Sequence, residues 1–132
     1  ETYKPEDVSL LVANATSSLE TDTKHQASIS HKDEYFPSPA VFVYTLPNIL
    51  LGEIAIKHKL VGEQSLFIFE SFDTDFMQQY VDNILRSGEA QCALAGWVEF
   101  YDNNYKAVLY TIEKEQGKLA LAHTKQNLDL IF

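Results

Sequence analysis

Leu66-Phe67-Ile68-Phe69-Glu70-Ser71-Phe72-Asp73-Thr74-Asp75-Phe76 decides how this chain folds. Four consecutive large apolar residues, Leu66 to Phe69, read as a strand covered on both faces, as in a parallel or mixed sheet. The next residues change character at once. Ser71, Asp73, Thr74 and Asp75 supply helix caps and early negative charge. Phe76, Met77, Tyr80, Val81, Ile84 and Leu85 then recur mostly three or four apart, the spacing of one helix face. Arg86 suits the helix dipole near its end, and Gly88 suits the position just past it. The pattern predicts a strand that turns directly into a helix, with Ser71 between them and in the place of a cap.

Outward from that junction, Asp7 to Asn14 reads as a buried strand and Cys92 to Phe100 as another. A helix is expected from about Pro47 to Lys59, with Leu46, Leu50 and Ile54 near helical spacing, Thr45 as cap and Pro47 in the first turn. Gly62 marks a turn. Asp102-Asn103-Asn104 is a second turn. Ala107 to Ile112 and Leu119 to Ala122 are expected to pair as a hairpin around Glu115-Gln116-Gly117. Leu128 to Phe132 reads as a last strand or a tail packed on the sheet. Ser17 to Ser38 is polar without an apolar period, and its open readings are a functional loop, a short helix or a segment ordered by a partner. The order of elements favours one layered α/β domain, residues 1–132, with a mixed β-sheet packed by helices.

The 132 residues suffice for one domain, and 45% of them are apolar, which argues against disorder. Ten Lys plus Arg against nineteen Asp plus Glu leave a net charge of −9 with His neutral. That charge argues against a general nucleic-acid binder and against docking on an anionic membrane. No apolar run reaches the length of a membrane span. One cysteine, Cys92, excludes an internal disulfide and a multi-thiolate metal site, and is compatible with a reducing, cytoplasmic setting. The chain opens on Glu1 rather than Met, so the expectation is that a piece upstream was removed or left out.

Candidate chemistry is sparse. His25, His31, His58 and His123 match no metal-binding spacing, and no metal or cofactor site is expected. Cys92 reads as a small buried hydrophobe. Glu70 and Asp73 read as dipole partners of the helix start rather than an acid/base pair. Gly52 and Gly96 read as sites of close packing, and there is no phosphate-cradling loop. Tyr101 and Tyr105 flank a turn, where they offer contact surface.

Thr45-Leu46-Pro47-Asn48-Ile49-Leu50-Leu51-Gly52 resembles the helix-opening segment of β-ketoacyl-acyl-carrier-protein synthases. Leu60-Val61-Gly62-Glu63 resembles that family's Leu-x-Gly-Pro turn, with Glu63 for Pro. Arg86-Ser87-Gly88-Glu89-Ala90 resembles the Gly-x-Ala that ends the nucleophile helix. Leu94-Ala95-Gly96-Trp97-Val98-Glu99 resembles the Ala-Gly-Gly-x-Glu strand, with Trp97 for the second Gly. The anchors keep the family's spacing without a gap over roughly residues 40 to 100.

The resemblance implies a thiolase-like half-domain, truncated or degenerate. It puts Ser71 where the family carries its nucleophilic Cys. A helix start lowers a thiol's pKa, but a serine needs an adjacent base. The family's His, Asn and Lys from the second half have no match here. Phe67, Phe69, Phe72 and Phe76 crowd the junction and read as core, with an interface or an acyl-chain wall as the alternative, in which Phe72 and Phe76 would contact substrate. The resemblance places Leu66, Phe67, Ile68 and Phe69 at a subunit boundary, because the strand before the nucleophile runs antiparallel to its counterpart across the family's dimer. The expected function is therefore a non-catalytic ketosynthase-like subunit of a fatty-acid or polyketide-type system. Its expected partners are a second copy or a full-length ketosynthase, with acyl-carrier protein as a further candidate. The alternatives are a serine-dependent acyltransferase or thioesterase, and a dimerising domain with no acyl substrate.

Overall fold

Val8–Asn14 forms the first strand, β1, and every residue from Ser9 onward is buried. Burial on both sides of the pleat is what a central strand with helices on both faces requires. The computed structural model describes residues 3–31, 33, 36–114 and 121–132. In it β1 pairs in parallel with β2, Gln64–Ile68, on one side and with β3, Cys92–Tyr101, on the other. The fourth strand, β4, Asn104–Glu113, pairs antiparallel with β3, and the order across the sheet is β2-β1-β3-β4. The expected mixed sheet is present.

The alternation of Leu10, Leu11 and Val12 splits the core in two. Leu11, with Ala93, Ala95 and Ile112, meets Met77, Val81, Ile84 and Leu85 of α4, Thr74–Ser87. Leu10 and Val12 face the opposite way, onto Leu51 and Ala55 of α3, Ile49–His58. The strongly periodic segment after Ser71 is thus the helix it was expected to be, and Gly88 ends it with a left-handed φ of 87°.

Several boundaries depart from expectation. The polar segment after Ser17 holds α1, Leu19–Ile29, which buries no residue and so shows no apolar stripe. Polar ties hold it instead: Ser18 Oγ donates to the Thr45 carbonyl (2.8 Å), and Glu20 accepts the Asp102 amide (3.0 Å). A short helix, α2, Pro39–Val43, was not foreseen. Helix α3 begins after Asn48, so Pro47 precedes it, and the Thr45 hydroxyl donates to the Phe42 carbonyl rather than capping it. β2 is touched on both faces, by Leu66 on the α3 side and Phe67 on the α4 side, but it is an edge strand with no buried residue.

The hairpin partner of β4 is β3, joined through Asp102 and Asn103, both at positive φ (50° and 59°), the two-residue turn that matches strand twist. Residues 115–120 of the expected hairpin lie outside the described residues, and Leu121 and Ala122 carry no strand. Leu128 to Phe132 is not a strand either. α5, Lys125–Asp129, precedes a turn that returns Phe132 to the core side.

Gly96 packs closely, as expected, whereas an added Cβ at Gly52 would meet nothing. At Gly96 a Cβ would collide with the Val108 carbonyl, and φ is 149°. Gly96→Ala is therefore expected to lose at least about 1–3 kcal/mol of stability from backbone conformation alone. Urea unfolding that leaves the midpoint unchanged would contradict this account.

Candidate functional site

The chain leaves β2 at Ile68 and enters α4 at Thr74, so Ser71 lies in the intervening bend and is exposed. The Phe69 amide still donates to the Asn14 carbonyl (3.0 Å), which ties the exit to β1. The cap of α4 is Asp73, not Ser71. Its Oδ1 accepts the Phe76 amide at 2.9 Å. A carboxylate is the stronger acceptor for an unpaired helix amide and complements the dipole. It also places negative charge two residues from Ser71, which opposes an alkoxide there.

Glu70, Ser71, Phe72, Thr74, Trp97, Lys106, Asp129 and Phe132 line a cavity of about 320 Å³. Its floor is aromatic, with Phe72 edge-on to Trp97 and to Tyr110, each at 6.4 Å. Its charged groups come from the bend, through Glu70, from β4, through Lys106, and from α5, through Asp129. The Thr74 hydroxyl donates to Asp129 at 2.6 Å and Lys125 Nζ does so at 2.8 Å. The hydrogen bond from Lys125, then that from Thr74, holds the Asp129 carboxyl below its ordinary range, which makes it a poor base. Among the described residues, the Ser71 hydroxyl has no hydrogen-bond partner and no histidine lines the cavity.

Because the folded Asp129 pKa is depressed, its contribution is present at neutral pH and is lost only as pH falls through that lowered value. The tie between α5 and α4 is therefore expected to survive to pH 5 and loosen in stronger acid, read by hydrogen exchange of the Leu128 amide. Loosening already between pH 7 and 6 would assign the tie to another group.

The remaining candidates scatter. Phe76 lies on another flank of α4, edge-on to Phe67 (5.0 Å) and Phe69 (5.2 Å), beside a hollow of about 450 Å³ shared with Arg86 and Asp82. Phe72 and Phe76 thus border different cavities. Ile68, on the β2 edge, is 49% exposed, and Phe69 stacks on Phe67 at 5.9 Å. Cys92 is buried, and burial pushes its thiol pKa up, away from reactivity. His123 bonds through Nδ1 to Asp82 (2.7 Å), and His25 lies against Phe42. No group of three or more His, Cys, Asp or Glu is placed to hold a metal among the described residues. Among the same residues no helix is long and apolar enough to cross a membrane.

Sequence reasoning missed Lys106, Asp129 and Phe132 as neighbours of Ser71, since they are 35 to 61 positions away. Only Trp97 carried a signal, as the bulky residue where the resembled motif has Gly. Glu99, at the end of the same motif, accepts from the Ala15 amide (2.7 Å) and from the Thr16 hydroxyl, and so fastens the exit of β1 to β3.

No family model matches this sequence, and no curated protein does. Among solved structures the chain is similar to the one described as the ishigamide ketosynthase/chain length factor, with a TM-score of 0.67 and 18% identity over 76% of this chain. The match spans 28% of that protein's chain, so the likeness is to a part of it. At this identity the likeness is one of fold, and the four-stranded mixed sheet packed by helices is consistent with a partial domain of the thiolase-like kind.

Proposed function

We propose that this chain is a non-catalytic ketosynthase-like subunit that pairs with a complete synthase, or with a second copy of itself, along the edge of β2. The observation that carries the proposal is the Ser71 junction. Strand and helix meet there, but the side chain is a hydroxyl that no other group hydrogen-bonds among the described residues, and no histidine lines its cavity. An unactivated serine is a weak nucleophile at neutral pH. Asp73 and Glu70 add negative charge where an alkoxide would form. The fold likeness to a ketosynthase/chain length factor supports the same reading, and so does the uncovered β2 edge. An unpaired strand edge is a template for pairing with another chain.

The pairing is tested by co-expressing the tagged chain with a full-length ketosynthase from the same cell and measuring co-purification, then the mass of the complex. Co-elution at a fixed ratio, or a dimer of the chain alone, is the expected result. A monomer at micromolar concentration that captures no synthase would end the reading. The chemistry has its own test. Incubation with acyl-thioester donors is expected to leave Ser71 unmodified by mass spectrometry. A stable adduct that disappears in Ser71→Ala would instead support the serine acyltransferase or thioesterase alternative.

A further inference from the structure

The segment from Leu121 to Phe132 runs antiparallel to α4 and brings Phe132 to the wall of the Ser71 cavity. Four ties mark its course. His123 Nδ1 lies 2.7 Å from Asp82 Oδ1, and Gln78 Nε2 donates to the His123 carbonyl at 3.3 Å. Asp129 then takes the Thr74 hydroxyl at 2.6 Å. Last, the Phe132 ring lies face to face on Phe72 at 3.7 Å and edge-on to Tyr110 at 6.0 Å. Phe72, Trp97 and Tyr110 come from three places, the β2–α4 junction, β3 and β4. Together they form an aromatic slot in which Phe132 is the tenant.

The closed seat is imperfect. Among the described residues, His123 Nε2 and Tyr110 Oη are both buried without a hydrogen-bond partner, and their rings are 5.8 Å apart. Each such atom loses its water on closure and gains nothing in return. Leu130 and Ile131 stay exposed, so Leu128 and Phe132 carry the apolar contact. The Lys125–Asp129 pair is exposed, and such pairs contribute little. A segment held by one ring, one leucine and a few polar ties, at the cost of two unpartnered atoms, can exchange with a competing guest.

We propose that residues 121–132 are an autoinhibitory strap: Phe132 fills the aromatic slot beside Ser71, and an apolar chain enters the slot only when the strap lifts. The choice of a linear acyl guest rests on the functional reading above, whereas the strap itself rests on the ring and hydrogen-bond geometry. Trp97, the single tryptophan, borders the slot and reports on it.

The experiment titrates decanoate, below its micellar range, into the full chain and three variants and follows Trp97 fluorescence. Phe132→Ala is expected to lower the half-saturating concentration at least about tenfold, as when a binding-competent state held to one part in ten becomes fully populated. Phe132→Leu, which keeps an apolar tenant, is expected to behave nearly as the parent does. Asp82→Asn weakens a tie without touching the slot and is expected to shift the midpoint in the same direction by a smaller factor. Equal midpoints for the parent and a folded Phe132→Ala, or no binding by either, would overturn the strap. If Phe132→Ala does not fold, Asp82→Asn decides: a lower midpoint supports the strap, and an unchanged one overturns it. A chain that pairs with no synthase, yet gains decanoate binding in Phe132→Ala, keeps the strap and loses the functional reading.

Discussion

Ile68→Lys is expected to weaken the association proposed above, with a synthase or a second copy, by about 100-fold, with the isolated chain still folded. Ile68 is half exposed at the open edge of β2, so within the isolated fold a lysine there can reach water. In a strand-to-strand interface the ammonium would lose that water, at a cost an isoleucine does not carry. Lysine at a sheet edge is also the device by which folded proteins block edge-to-edge pairing. Losing one central apolar contact costs about 2–4 kcal/mol where it lies at the heart of an interface, and about 2.7 kcal/mol corresponds to the 100-fold change. Sedimentation across a concentration series reads it directly. Identical mass distributions for parent and variant, with the parent associated, would remove β2 from the interface and leave another surface to explain the association.

The second large effect is internal. Leu11→Ala is expected to destabilise the fold by about 2–5 kcal/mol, the cost of deleting a buried leucine's side chain and leaving a cavity. Leu11 is fully buried in β1, between Ser65 of β2 and Ala95 of β3 in the register, and packs on the face covered by Met77 and Val81. Its neighbours in the sheet are small, so little can collapse into the space. The whole fold is worth only about 5–15 kcal/mol, so the loss is a large fraction of it. The denaturation midpoint in urea is expected to fall while the slope stays constant. Leu11→Met, which preserves volume, is expected to cost less than about 1.5 kcal/mol. A Leu11→Ala loss below 1 kcal/mol would mean that α4 is not seated on this face as described, and the position of Ser71 would be in question with it.

Both predictions stand on elements of different legibility. The α4 helix was readable because its apolar residues repeat at helical spacing and because Asp73, Arg86 and Gly88 mark its ends. β1 and β3 were readable because they are interior strands, whose side chains are apolar on both faces. α1 was not, since a helix held by Ser18 and Glu20 to distant partners needs no apolar stripe. The pairing of β4 with β3 was not read for a different reason, and the hairpin expected around Gly117 falls largely outside the described residues. Two turn signals flank that strand, and sequence cannot weigh the Asp102-Asn103 turn against the Gly117 region without the register of the sheet. The cap at α4 went to Asp73 rather than Ser71 by a shift of two residues, finer than a sequence pattern resolves.

Local order in this chain follows from short-range chemistry: apolar spacing, capping side chains and turn formers act over a few residues and are written in order. The strand–bend–helix junction at Ser71 is of that kind. The surroundings of Ser71 are not, because Trp97, Lys106, Asp129 and Phe132 reach it only after β3 has paired with β1, β4 has turned back on β3, and α5 has docked on α4. Contacts between residues far apart in the chain depend on which strands pair and how helices dock, and those choices minimise the free energy of the whole molecule rather than of any segment. The edge position of β2 belongs to the same class: four apolar residues announce a strand, and only the completed sheet leaves it, among the described residues, with β1 as its one neighbour.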